Sequence, residues 1–366
     1  MATFRGDSGD NSFVGANVDE TFFGEGGRDT VNAGGGDDVI FGGAQRDGLH
    51  GWVGRDLMYG GDDHDLVYGE EGDDIIFGGA GDDKAWGGQG DDWVSGDNGH
   101  DEVLGKAGVD TLYGGEGDDE IWAGFMNDEK NVGIEQRDRT ADLDYIWAGS
   151  GNDTVMGDNG ADVQYGETGD DELCGWGGDD SLFGGAGKDE MRGMDGNDLM
   201  EGGLGADHMG GFNGDDVMHG QLGADTMTGG AGKDVMLGGL GFDDLHGGGM
   251  ADLIDGGRGK DALNGFLGDD TLIGGAGADT LEGHKGADQM TGGAGADTFV
   301  FGRAFGRDVI TDFSDRADKL EFTAVRSFEA LKISNTADGV KIAHGANWVI
   351  LEDVAASQIS ENDFIF

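Results

Sequence analysis

The chain predicts an all-β fold: a right-handed parallel β-roll in two blocks, closed by a small C-terminal β cap. Three observations carry this: a nine-residue period over most of the chain, glycine at fixed places within the period, and no proline. Self-similarity at a fixed short period marks a solenoid. Proline would delete an N–H from a continuous ladder, so its absence fits a chain that is nearly all ladder and turn.

The clearest units are Gly78-Gly79-Ala80-Gly81-Asp82-Asp83-Lys84-Ala85-Trp86 and Gly87-Gly88-Gln89-Gly90-Asp91-Asp92-Trp93-Val94-Ser95, a pattern G-G-x-G-x-D-x-U-x with U apolar. The glycines at positions one, two and four permit a tight turn. The x-U-x triplet is a short strand with U on one face and its neighbours on the other. Such a strand is unstable alone. If successive units fall on opposite sides, 18 residues make one coil and each side becomes a parallel sheet.

The first block is residues 1–122, with thirteen units in phase from Gly6. Position six reads Asn11, Glu20, then Asp29, Asp38, Asp47, Asp56, Asp65, Asp74, Asp83, Asp92, Asp101, Asp110 and Asp119. Position eight is apolar throughout, from Phe13 to Ile121. Residues 123–138 break the phase and read as a surface loop. The second block, 139–300, opens on a unit that keeps Asp144 and Ile146 but has lost its glycines. Its remaining units carry Asp153, Asp162, Asp171, Asp180, Asp189, Asp198, Asp207, Asp216, Asp225, Asp234, Asp243, Asp252, Asp261, Asp270, Asp279, Asp288 and Asp297. Residues 301–366 have ordinary globular texture, with strand signals at 299–301, 309–313 and 348–351 and a hairpin signal at Asp338-Gly339.

Among 366 residues the formal net charge is −54, which repels a compact chain and argues against nucleic acid as a partner. Coil spacing of about 4.8 Å brings the position-six carboxylates together along each edge. They cannot all stay ionised there without a cation between coils. Oxygen-only ligands, mixing Asp side chains with turn carbonyls, select Ca²⁺ over Mg²⁺ and Zn²⁺. One site between each unit and the next but one supplies positive charge on the scale of the deficit. The metal candidates are therefore the run Asp29 to Asp119 together with Asp144 and the run Asp153 to Asp297.

These units resemble the repeats-in-toxin (RTX, haemolysin-type) calcium-binding repeat over 6–122 and 139–300. The tail is similar too: Ala296 to Phe301, Asp308 to Phe313, Ala317 to Phe322 and the ending Asp363-Phe364-Ile365-Phe366 resemble the segment that follows the repeats in secreted members. The resemblance implies export by a type I secretion apparatus through an uncleaved C-terminal signal, an extracellular or cell-surface location, and folding on meeting external calcium. No amino-terminal signal peptide and no transmembrane run is expected.

With the first unit at Gly6, no enzyme domain is expected. H-E-x-x-H is absent, and Gly6-Asp7-Ser8-Gly9-Asp10 fails the G-x-S-x-G pattern at its last place. Position nine of the first block is aromatic: Phe23, Phe41, Tyr59, Phe77, Ser95 and Tyr113 on one sheet, His50, Tyr68, Trp86, Leu104 and Trp122 on the other. This ladder suggests a polysaccharide or partner surface, against the plainer reading of cross-strand stacking. The second block has Arg192, Glu201, His219, Thr228 and Asp255 at that position, which would confine any such surface to the first block. Met191, Met200, Met209, Met218, Met227 and Met236 read as core. Arg5-Gly6-Asp7 reads as chance, and Cys174 as a thiol with nothing catalytic beside it.

Overall fold

A computed structural model describes residues 2–124, 142–314 and 317–366. Its contacts divide into two units, Met1–Glu190 and Met191–Phe366. Each is a parallel β-solenoid, and among the described residues there is no α-helix.

The strands are six residues long where three were expected, as in Val39–Ala44, Leu57–Asp62 and Val217–Leu222. They run on through the glycines because the ladder resumes beyond position one. Phe41 pairs with Tyr59, Gly42 is skipped, and Gly43 pairs with Gly61. Gly43 makes this possible at φ 117°. One residue is skipped on each strand, Gly42 and Gly60, so the chain turns while the register is kept.

Register is 18 residues per coil. In the first unit Phe22, Ile40, Met58, Ile76, Val94 and Leu112 align on one sheet. Leu49, Val67, Ala85, Val103 and Ile121 align on the other. Both rows are fully buried and form a core two side chains thick. In the second unit Met218, Met227 and Met236 occupy the same rows, also fully buried, as expected of core methionines. Flexible thioethers suit a narrow seam between sheets.

The break in sequence phase does not break the stack. Tyr113 pairs with Trp147 and Gly115 with Gly149, while Glu120 pairs with Thr154. Of the interruption expected at 123–138, residues 125–138 lie outside the described residues, as do 139–141 at the start of the second block.

The tail continues the roll before closing it. Lys319–Phe322 pairs in parallel with Thr298–Phe301, and Asn347–Glu352 with Arg307–Ile310. The expected hairpin at Asp338-Gly339 joins Lys332–Asn335 to Gly339–His344, antiparallel. Phe301, Phe305, Phe322 and Phe364 fill the end of the core.

Candidate metal centre

The position-six carboxylates form a hydrogen-bonded column along each edge. Each accepts, through Oδ1, the N–H of the position-six residue one coil earlier. Asp29 N–H donates to Asp47 Oδ1 at 2.7 Å, and Asp216 N–H to Asp234 Oδ1 at 3.0 Å. The columns cross the interruption, with Asp110 donating to Asp144 at 2.6 Å and Asp119 to Asp153 at 2.7 Å. All the sequence-predicted aspartates, Asp29 to Asp119 and Asp144 to Asp297, are buried, none more than 3% exposed.

The second oxygen is the chemically revealing one. Oδ2 is buried without a hydrogen bond at Asp47, Asp56, Asp65, Asp74, Asp83, Asp92, Asp110, Asp119, Asp216, Asp225, Asp252 and Asp297, among others. A buried carboxylate oxygen with no partner is costly. Beside most of them a position-one glycine leaves a narrow hollow; Ala33 and Ala148 stand there in the units of Asp38 and Asp153. A Cβ placed on Gly42 would lie 2.5 Å from Gly60 O and 2.6 Å from Asp47 Oδ2. On Gly166 it would lie 2.5 Å from Asp171 Oδ2 and 2.6 Å from Gly184 O, and on Gly238 2.6 Å from Asp243 Oδ2 and 2.7 Å from Gly256 O. A Cβ at these glycines would be crowded. The same crowding sets an unpartnered carboxylate oxygen close to a turn carbonyl oxygen of the next coil, the oxygen-only ligand set that Ca²⁺ takes. Position one accordingly holds glycine in most units and nothing larger than alanine at Ala33 and Ala148.

The electrostatics agree. Burial pushes the carboxyls of Asp65, Asp92 and Asp119 up to about 8 and that of Asp110 to about 9. The backbone N–H bond opposes this, and neighbouring aspartates add to it. Such columns hold protons or cations at neutral pH, not bare charge.

Sequence reasoning missed two members. Asp288 N–H donates to Asp308 Oδ1 at 3.2 Å, and Asp297 N–H to Asp318 Oδ1 at 3.0 Å, so both columns run on into the tail. Their signal was the D-x-U-x core, Asp308-Val309-Ile310 and Asp318-Lys319-Leu320, spaced by 20 and 21 residues rather than 18 and without the paired glycines at positions one and two. Cys174 is buried, which leaves it inert in the folded chain.

The aromatic ladder is not confined to the first block, which corrects the sequence reading. Phe23, Phe41, Tyr59 and Phe77 stack at 4.9–5.1 Å with near-parallel rings. Trp93, at position seven, bridges the gap left by Ser95. Tyr113, Trp147, Tyr165 and Phe183 then continue the stack. The sheet register carries the column across 123–138, because residues one coil apart in space need not be 18 apart in sequence.

A family model, the RTX calcium-binding nonapeptide repeat (4 copies), matches residues 14–49, 46–67, 68–103, 95–128, 140–173, 147–182, 175–209, 210–245, 237–265, 246–281 and 264–299. No curated protein matches the chain. Among solved structures it is similar to the extracellular lipase LipA from Serratia marcescens, at 19% identity over 62% of this chain and 45% of that one, TM-score 0.29. It is also similar to the AlgE6R3 subunit of the Azotobacter vinelandii mannuronan C5-epimerase, at 31% identity over 38% of this chain and 82% of that one, TM-score 0.19.

Proposed function

The chain belongs to the RTX calcium-binding nonapeptide repeat family, and on that premise we propose that it is a secreted protein without catalytic activity, folded by extracellular calcium, with a structural role at a cell surface or matrix. The family's repeats bind calcium at multiple sites. The ligands proposed here are Oδ2 of the position-six aspartates and the turn carbonyls that face them. The observation that carries this is the run of buried Oδ2 atoms without a hydrogen bond, such as that of Asp47, each close to a turn carbonyl oxygen such as that of Gly60. Ions that bind only the folded chain stabilise it by mass action, and here they also discharge the repulsion of a chain at −54. Export by a type I apparatus through residues 301–366 fits the same switch, since a calcium-poor interior keeps the chain unfolded.

Circular dichroism of the full chain tests this. β structure should appear in millimolar Ca²⁺ and be largely lost in chelator at pH 7.5; identical spectra in both would refute calcium-driven folding.

The polysaccharide reading has less support. A sugar ring stacks on an aromatic face, and in the long column each inner ring has its faces against its neighbours. On the other sheet the Lys106 ammonium lies 4.8 Å over the Trp86 ring.

A further inference from the structure

Position five forms a second, outer row of hydrogen bonds that the buried columns do not use. Where it carries Asp or Asn, the side chain accepts the position-five N–H of the next coil. In the second unit this row follows the turns after His208–Asn213, Thr226–Ala231, Asp244–Gly249 and Ala262–Leu267. Asp215 N–H donates to Asn197 Oδ1 and Lys233 N–H to Asp215 Oδ1, both at 2.8 Å. Further along, Ala287 N–H donates to Asp269 Oδ1 at 2.8 Å. Between these the row is broken. Position five there is Lys233 and then Ala251, and neither side chain carries an acceptor. The N–H groups of Ala251 and Asp269 accordingly have no acceptor among the described residues.

A cleft of about 410 Å³ opens at the break, lined by Lys233, Met250, Ala251, Gly268, Asp269 and Lys285 among others. Both lysines are exposed, and neither ammonium has a carboxylate partner among the described residues. In a chain at −54 that is a local reversal of sign. The one acidic side chain lining the cleft, Asp269, already spends Oδ1 on the next coil. Met250 is 58% exposed and stands at φ 80° where the repeat usually has glycine, so it adds an apolar wall.

We propose that this cleft binds a small organic carboxylate, which supplies from outside the acceptor that the chain omits. The neighbouring coils show what the place takes: beside Lys233 the Asp215 carboxylate fills it. The ligand's carboxylate accepts the Asp269 N–H over the Ala251 methyl, with the Ala251 N–H one coil back, about 4.8 Å away. Lys233 and Lys285 supply the opposite charge, and charge-assisted bonds of this kind are about twice as strong as neutral ones. A short apolar group on the ligand lies against Met250. This goes beyond the calcium reading and does not depend on it.

The test titrates the ¹⁵N-labelled full chain in Ca²⁺ with sodium acetate and, separately, sodium butyrate, replacing chloride at constant ionic strength. Backbone amide shifts should saturate at Ala251 and Asp269, with butyrate the tighter ligand. They should not saturate at Ala224, an exposed position-five alanine on the opposite edge whose neighbours in the row are Ala206 and Phe242. Ala251→Asp builds in the missing carboxylate and should abolish saturation while leaving calcium stoichiometry unchanged. Lys233→Gln with Lys285→Gln should weaken acetate by about tenfold or more. Shifts that drift without saturating, equal saturation at Ala224, or undiminished binding in Ala251→Asp would each overturn the proposal. Altered calcium stoichiometry in the parent chain on adding acetate would do so too, since the carboxylate would then be acting on the ions.

Discussion

Replacing Asp110 by asparagine should change stability in opposite directions with and without calcium. Asp110 lies fully buried between Asp92, whose N–H it accepts, and Asp144, to which its own N–H donates. Burial is the main cause that lifts its carboxyl from 3.8 to about 9, with Asp92 and Asp144 adding repulsion. Without an ion the folded chain at pH 7 therefore holds this group protonated, although the unfolded chain ionises it. At about 1.4 kcal/mol per pH unit that costs up to about 4 kcal/mol. The substituted amide keeps the Oδ1 acceptor and removes the titration, so the calcium-free fold should gain about 2–4 kcal/mol. In calcium the same change removes a ligand. An ion held a hundredfold above its Kd contributes about 3 kcal/mol, and most of that should be lost. Urea unfolding followed by circular dichroism measures both, in millimolar Ca²⁺ and in chelator, with trimethylamine N-oxide at fixed concentration to hold the calcium-free chain in range. A shift of the same sign in both conditions would refute the assignment of Asp110 as an ion ligand.

The pH dependence should be inverted in the same way. Burial raises the position-six carboxyls above their ordinary 3.8, to about 6 at Asp38 and about 9 at Asp110, so they stabilise the calcium-free fold below that ordinary value and the contribution of these two is lost as pH rises through 6 and 9. In calcium-stripped buffer β structure should therefore increase from pH 8 to pH 4, while in calcium acid should release ions; loss of structure on acidifying the stripped chain would contradict this. Gly42→Ala and Gly43→Ala should separate hollow from turn. The first crowds a Cβ against Asp47 Oδ2 and Gly60 O, the oxygens proposed as ligands, and should lower calcium stoichiometry by one, whereas the second strains a residue at φ 117° and should cost about 1 kcal/mol or more without lowering it. Equal calcium stoichiometry in Gly42→Ala and the parent would count against the hollow. Trp147→Ala, which opens the stack between Tyr113 and Tyr165, should cost about 2–4 kcal/mol. Unchanged stability with lost alginate binding would restore the polysaccharide reading.

Much of the site was legible because the repeat states each residue's place eighteen residues in advance. Once Asp47 sits in the column, Asp65 and Asp83 must follow, and position eight must be buried beside them. Asp308 and Asp318 escaped because their coils are longer and their own turns lack the paired glycines, so only the ladder bonds from Asp288 and Asp297 reveal them. The continuing aromatic column escaped for the matching reason: Trp147 is 34 residues from Tyr113 in the chain and one strand away in space.

The sequence by itself determined the period, the buried apolar seam, the carboxylate at every sixth place and the choice of a hard oxygen-seeking cation. Those are properties of one unit repeated, so local chemistry suffices. Tertiary structure alone decided which oxygen of most of these aspartates is left without a partner, and which turn carbonyl of the next coil lies close to it. Such facts depend on what the next coil places a few ångströms away, and a unit does not carry its neighbour's coordinates.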